Sequence, residues 1–398
     1  MTTLSIILLI LLFLPFAYLL VMALASVRPA HVPDWKDRPA ATRFAIAIPA
    51  HNEDTVIVST VQRLLALNYP PDHFSIHIVA DHCTDQTALL AREAGAVVHE
   101  RNQGPRSGKG AALTWLFERI LQDPSVDAVI VFDADTRVDA NFLRVMDARL
   151  AGGAQVVQGQ HRISNPHQGW FPALTWAMFL IDNRYQNLGR TNLGWSAKHM
   201  GDSICFRADV LRRLGWGEGL TEDYQLRQRL LLDGIHIAYE PAALGRGEAP
   251  LSWHQARAQR ARWLRGTRDA SRQFAGLLLR EGLKRGDGAL LDGALQAFLP
   301  SYSTLTLLAV LLLAAQLIFY WAGGNIAGWA LIAWAVFVLL LYLYPLLGLA
   351  LEKAPLRAYL VIMTGPVFMV WRTGLALQAR LGRRAVTWVR TAHGGKPK

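Results

Sequence analysis

Two long stretches of the chain carry no charged residue. None precedes Arg28, and none falls in the 59 residues between Asp292 and Glu352. A helix crosses the hydrocarbon of a bilayer with about 20 apolar residues. The longer stretch therefore divides into two spans, near 296–320 and 327–350, joined by the polar turn Gly323-Gly324-Asn325. The first stretch predicts one span near 4–25. Ala23-Leu24-Ala25 has the look of a processing site, but Met1 to Ser5 carries no positive charge, and the apolar run is longer than the roughly 7–15 residues of a signal-peptide core. A retained anchor over 1–27 is the expectation.

Between these ends, residues 42–250 alternate β-rich runs with helical periods. Phe44–Ile48, Ser75–Val79, Ala96–Val98 and Ala128–Phe132 read as strands. Helices are expected at about 54–67, 84–94 and 108–122, the second starting from Asp85. Such alternation predicts an α/β domain with a mostly parallel, doubly wound sheet, reached through a short linker, Arg28–Arg43. Sheets of this kind bind ligands beyond the carboxyl ends of their strands.

Charge refines the membrane ends. The net charge of +11 is concentrated: residues 257–285 hold nine Lys/Arg against two acids, and 380–398 hold six against none. The positive-inside rule puts both segments in the cytoplasm. The segment 251–292 then reads as basic interfacial helices against anionic headgroups, with no nucleic acid required. Two spans follow over 293–351. Only 14 uncharged residues separate Arg357 from Arg372, with Gly365-Pro366 among them, so 355–379 reads as a re-entrant or interfacial helix before a basic cytoplasmic tail, 380–398. Cys83 and Cys205 lack metal-ligand spacing and fit a reducing compartment.

Carboxylates gather after the strands: Pro49-Ala-His-Asn-Glu53, Asp81-His-Cys-Thr-Asp85 and Asp133-Ala-Asp135. Like charges repel, so such acids must be solvated or share a cation. Asp133 and Asp135, at i and i+2, offer hard oxygens on one side to Mg²⁺ or Mn²⁺; a plain turn with Asp135 capping a helix before Asn141 reads the same letters. Aspartyl-nucleophile phosphohydrolases also follow a strand with Asp-x-Asp-x-Thr/Val, but Arg137 stands at the fifth position here. Leu220-Thr-Glu-Asp223-Tyr224 opens an amphipathic helix: either Thr221 caps it and the acids favour its dipole, or Asp223 is a general base. Gln259, Arg262 and Trp263 lie at i, i+3 and i+4, one helical face carrying an amide, a guanidinium and an indole. That face suits phosphate and sugar contacts, and equally an interfacial Trp anchor.

Four of these elements, Asp81 in Asp81-His-Cys-Thr-Asp85, Asp133-Ala-Asp135, Thr221-Glu-Asp223 and Gln259-x-x-Arg262-Trp263, in this order between apolar helices, resemble the membrane-bound family 2 glycosyltransferases, the group of cellulose, chitin and hyaluronan synthases and related exopolysaccharide and glycolipid enzymes. The resemblance covers about residues 42–270 and implies a GT-A-like nucleotide-diphospho-sugar transferase fold. It implies that Pro49, Glu53 and Asp81 line the uridine pocket of a UDP-sugar, and that Lys109, in Ser107-Gly-Lys-Gly110, lies near the nucleotide. Asp133 would contact the donor and Asp135 would hold Mg²⁺ or Mn²⁺. Asp223 would be the base, Gln259 and Arg262 would hold the diphosphate, and Trp263 and Glu222 would meet the acceptor. Many relatives carry a small or amide residue where this chain has Asp202, so an extra carboxylate is expected near the acceptor.

The implied reaction inverts configuration, moving a hexose to a saccharide or lipid-linked acceptor at the inner face of the cell membrane. Three spans are few for threading a polymer, so either the acceptor is short or lipid-linked, or partner subunits complete an export channel. Trp170–Ile181, with Trp176 and Phe179, is a candidate acceptor collar. Two other classes stay open at this point: a phosphohydrolase with a covalent intermediate on Asp133, and a non-catalytic membrane scaffold.

Overall fold

The computed structural model describes residues 1–217 and 219–381; all but the first two residues of the expected basic tail, 380–398, lie outside the described residues. The strands are β1 (Phe44–Ala50), β2 (Phe74–Asp81), β3 (Val97–Arg101), β4 (Ala128–Val131), β5 (Arg137–Val138), β6 (Val156–Ile163), β7 (Ile204–Arg207) and β8 (Ile237–Gly247). They form one sheet in the order β3-β2-β1-β4-β7-β6-β8-β5. β3, β2, β1 and β4 run parallel, β7 is antiparallel to both its neighbours, β6 and β8 are parallel to each other, and β5 is antiparallel to β8.

Strand β1 shows why the sheet is a middle layer. Successive side chains point to opposite faces. Phe44, Ile46 and Ile48 enter one core with Ile57, Val61 and Leu64 of α2 (Ile57–Leu65), while Ala45 and Ala47 enter the other with Leu113, Leu116 and Phe117 further along the chain. A strand buried on both faces reads as an unbroken apolar run, which is how it was legible. α3 (Thr87–Glu93), α4 (Lys109–Ile120), α5 (Phe142–Ala151), α6 (Trp170–Asp182), α7 (Arg190–Asn192), α8 (Ala208–Leu214) and α9 (Glu222–Leu232) complete this part, with a π-helical segment, Asn183–Gly189, between α6 and α7.

Three expectations are corrected here. The helix expected from Asp85 begins at Thr87 instead: the Asp85 carboxylate accepts from the Thr87 N–H (3.0 Å) and hydroxyl (2.6 Å), a local turn that delays the helix. Asp135 does not cap the helix at 142; Asn141 precedes it, and the Asp139 carboxylate accepts the Asn141 N–H. The span expected from 296 starts later. α10 (Trp253–Arg285) is followed by α11 (Gly288–Phe298), and the chain breaks at Pro300 before α12 (Tyr302–Trp321), whose first turn is capped by the Ser301 hydroxyl accepting from Thr304 N–H (3.3 Å).

α1 (Thr2–Ala25), α12 and α13 (Gly328–Leu351) are long and apolar enough to cross a bilayer. α14 (Leu356–Ile362) and α15 (Gly365–Leu381) meet at a 50° bend, and taken as one broken span the pair would make a fourth. Phe16 of α1 packs edge-on against Phe337 and Tyr344 of α13, with ring centroids 5.7 and 5.9 Å apart. Charge joins this bundle to the α/β layer: Asp292 of α11, buried, accepts from Tyr18 (2.6 Å), Arg190 (2.9 Å), Arg227 (3.1 Å) and Gln296 (2.7 Å). The carboxylate that closes the last charged stretch before the spans is thus the knot between α1, α7, α9 and α11.

Candidate active site

A cleft of about 2120 Å³ opens along the carboxyl ends of β1, β2 and β4 and continues between α6, α9, α10, α12, α13 and α15. The twelve residues given donor, metal, base or acceptor roles from the sequence all line it: Pro49, Glu53, Asp81, Lys109, Asp133, Asp135, Asp202, Glu222, Asp223, Gln259, Arg262 and Trp263; of the candidate collar, Phe179 lines it, while Trp176 packs against Phe171 and its neighbours.

Asp133 and Asp135 stand just beyond the end of β4, both partly exposed to the cleft. Their loop is fixed from behind by Asp202. One Asp202 oxygen accepts from the Asp133 N–H (3.0 Å) and the Thr136 hydroxyl (3.0 Å), the other from Ser203 (3.0 Å), and it pairs with His161 Nδ1 (2.6 Å). Asp202 is 2 % exposed. With both oxygens engaged by internal partners, the extra carboxylate braces the Asp133–Asp135 loop while also lining the cleft. Its pairing with His161, Lys109 and the Asp133 amide outweighs burial and keeps its pKa low, and Asp202 in turn raises that of His161 although burial alone would lower it.

Lys109 is the first residue of α4, presented by Gly108, whose φ of +94° favours glycine. Its ammonium donates to Asp133 and to the Gly201 carbonyl (2.5 Å). Burial would lower its pKa, but the carboxylates of Asp133 and Asp202 raise it overall, so the lysine is a fixed cation beside the loop after β4.

Asp223 sits in the first turn of α9, close to Gly201, and Glu222 lies against Gly110. A Cβ at Gly110 would stand 3.1 Å from Glu222 Cγ, so the glycine lets α4 and α9 close on this pair. Desolvation raises the pKa of both acids: Glu222, which also feels the Asp223 charge, is pushed up to about 7, and Asp223 is raised although the Tyr224 N–H (2.8 Å) and Lys109 hold it down. The basicity that a helix N-terminus denies a carboxylate is restored by burial.

On the far wall, α10 carries Gln259, Arg262 and Trp263, and the indole is 38 % exposed. On the near side, Asp81 receives Arg101 (2.5 Å) and His82 (2.9 Å), so the expected uridine-binding carboxylate is itself held in place.

A divalent ion fits the loop after β4. Asp133 and Asp135 supply two hard carboxylates one residue apart, and among the described residues no cluster of three His, Cys, Asp or Glu completes a protein-only cage. Magnesium-type ions are commonly held by one or two carboxylates together with substrate phosphates.

Sequence reasoning missed His161, Arg101, Lys198 and Arg260. His161 lies in β6, whose polar letters, Gln158-Gly-Gln160, hid it; Arg101 is one of many surface-looking arginines until paired with Asp81.

The family model described as "Glycosyltransferase like family 2" matches residues 39–266. A probable glycosyltransferase, YdaM, of Bacillus subtilis is 23% identical over 393 residues, covering 91% of this chain and 89% of its own. A beta-monoglucosyldiacylglycerol synthase of Nostoc is 30% identical over 234 residues, covering 56% of this chain; the chain spans 48% of that relative's length. Among solved structures, the mannosyltransferase PcManGT of Pyrobaculum calidifontis, in complex with GDP-Man and Mn²⁺, superposes with a TM-score of 0.59 at 18% identity, over 96% of this chain and 99% of its own. The chain belongs to glycosyltransferase family 2, on a GT-A-like fold.

Proposed function

We propose that the chain moves a hexose from a UDP-sugar, with inversion, to a saccharide or lipid-linked acceptor at the cytoplasmic face of the membrane. The observation that carries this is the desolvated Asp223 in the same cleft as Lys109, Asp133, Asp135 and the Gln259/Arg262/Trp263 face. The names of the relatives, a glycolipid synthase among them, support a membrane acceptor.

In this reading Pro49, Glu53 and Asp81 hold the base and ribose end, Asp133 meets the donor sugar, and Gln259 and Arg262 hold the diphosphate. Asp223 takes the proton of the acceptor hydroxyl as that oxygen attacks the anomeric carbon and the nucleoside diphosphate leaves from the opposite face. Glycosidases protonate their leaving group with an acid; here Arg262 meets the developing charge instead. A divalent ion held by Asp135, when bound, would neutralise the diphosphate charge. Glu222 and Trp263 border the acceptor.

The positive-inside rule puts α10 and the catalytic layer on the cytoplasmic side, with α1 as an anchor over 1–27, the transferase domain over 42–250, the spans within 293–351 and 355–379 as a re-entrant pair. Partner subunits would be required only if a polymer were exported. Asp223→Asn tests the base: sugar transfer should be abolished while nucleotide binding stays near wild type, and full activity in that variant would remove the assignment.

A further inference from the structure

The charges that line the cleft are segregated. The loops after β1, β2 and β4 and the start of α9 bring most of the carboxylates. On the helical wall, among the described residues, Asp182 is the one lining carboxylate, facing Arg190, Lys198, Arg227, Arg260, Arg372 and further arginines of α10. Asp292 behind the wall is shared by Arg190 and Arg227. Lys198 reaches Asp182 at 3.3 Å and stays 33% exposed. Arg260 lies over Phe368 (4.9 Å) and Phe171 (5.5 Å), and Arg372 donates to the Ser303 hydroxyl (3.0 Å). Burial lowers the pKa of Lys198, and burial and then Arg372 lower that of Arg260 to about 10, as expected of cations lacking enough negative charge.

Half-buried charges in surplus are costly unless a counter-charge arrives. At the donor edge the surplus is negative, and a divalent cation answers it. We propose that on the helical wall an anion answers it: Lys198, Arg260 and Arg372 hold a phosphate-type group on the acceptor, whose apolar part continues along Leu308, Leu339 and Leu343. This rests on the transferase reading and deepens it by naming the acceptor's charge. The donor diphosphate is a poor candidate for these residues: at 100° per residue Arg260 and Arg262 stand about 160° apart around α10. The anion is a handle; the nucleophile remains a hydroxyl deprotonated by Asp223. A neutral glycerolipid or glucan would leave the wall uncompensated.

The test uses the full chain in phosphatidylcholine nanodiscs with Mn²⁺ and a panel of nucleotide sugars. Phosphatidylglycerol and diacylglycerol each offer a primary hydroxyl, and only the first carries a phosphate; glycerol 3-phosphate supplies the same group free of lipid. The expected result is at least tenfold faster use of phosphatidylglycerol than of diacylglycerol at limiting acceptor. Lys198→Gln and Arg260→Gln should each raise the acceptor KM severalfold, with Arg260→Lys recovering much of the loss. Equal use of the two lipids, or variants that shift the donor KM alone, would overturn the proposal. Use of glycerol 3-phosphate as readily as phosphatidylglycerol would keep the anion site and assign it to a soluble phosphate. Transfer to diacylglycerol alone would overturn this inference and leave the transferase reading standing, whereas no sugar consumed with any acceptor would remove both.

Discussion

The two walls of the cleft meet at Asp223 and differ in origin as well as in charge. The strand-edge wall is built by β1, β2 and β4, whose apolar runs end abruptly in acids, and its carboxylates are held by internal partners: Asp81 by Arg101 and His82, Asp133 by Lys109, Asp202 by His161, Ser203 and Thr136. The helical wall is built by α6, α10 and α15; Lys198 pairs with Asp182 there, and Arg190 and Arg227 behind it share Asp292. The difference teaches that one wall is prepared before the donor arrives, while the other gains its balancing charge from what binds there or from the anchor helices behind it.

The largest expected effect falls where the walls meet. Asp223→Asn should lower kcat by about 10²–10⁴, the range that general acid–base catalysis supplies, with nucleotide affinity by calorimetry within a few fold. Next comes the knot behind the helical wall. Asp292→Ala leaves Arg190 and Arg227 buried without their shared carboxylate, and breaking a buried pair costs about 3–5 kcal/mol; a thermal-unfolding series in detergent should show it as a large drop in Tm, while Asp209→Ala, at an exposed ion pair, should leave Tm nearly unchanged.

Asp135→Ala probes the donor edge. It should raise the Mn²⁺ concentration for half-maximal activity by at least the roughly 10–100-fold that loss of even an outer-shell partner costs a metal site. An unchanged metal titration would move the ion elsewhere.

The smallest effect sharpens the meeting point itself. Glu222 holds its proton to about pH 7 in the folded chain, above its ordinary value of 4.5. The folded state therefore binds more protons than the unfolded state between those values, and stability falls as pH rises through that window. Glu222→Gln should flatten the fall, read by unfolding between pH 4.5 and 7.

Much of the strand-edge wall was legible because its signals are local. β1, β2 and β4 are apolar runs, and Asp81, Asp133, Asp135 and Asp223 sit at their ends or at a helix start. β6, β7 and β8 were not legible for physical reasons. Gln158 and Gln160 are buried in β6, with Gln158 donating to the Asp202 carbonyl (2.8 Å) and accepting the Met200 N–H (2.9 Å), partners about 40 residues away. β8 contains Pro241 and two alanines, Ala242 and Ala243, within a register shift opposite Gly159-Gln160, so its letters read as a turn. The helical wall was legible only in part. Gln259, Arg262 and Trp263 announce themselves by spacing, but the surplus of charge around Lys198, Arg260 and Arg372 exists only once α6, α10 and α15 come together.

The central claim is a nucleotide-sugar transferase with Asp223 as its base. Its most direct test is nucleoside diphosphate release from a panel of nucleotide sugars by the full chain in nanodiscs, with Mn²⁺ or with chelator, for wild type and Asp223→Asn. The account predicts metal-dependent release by wild type and none by the variant, which still binds the nucleotide. Release that persists in Asp223→Asn at the wild-type rate, or inorganic phosphate as the product, would contradict it.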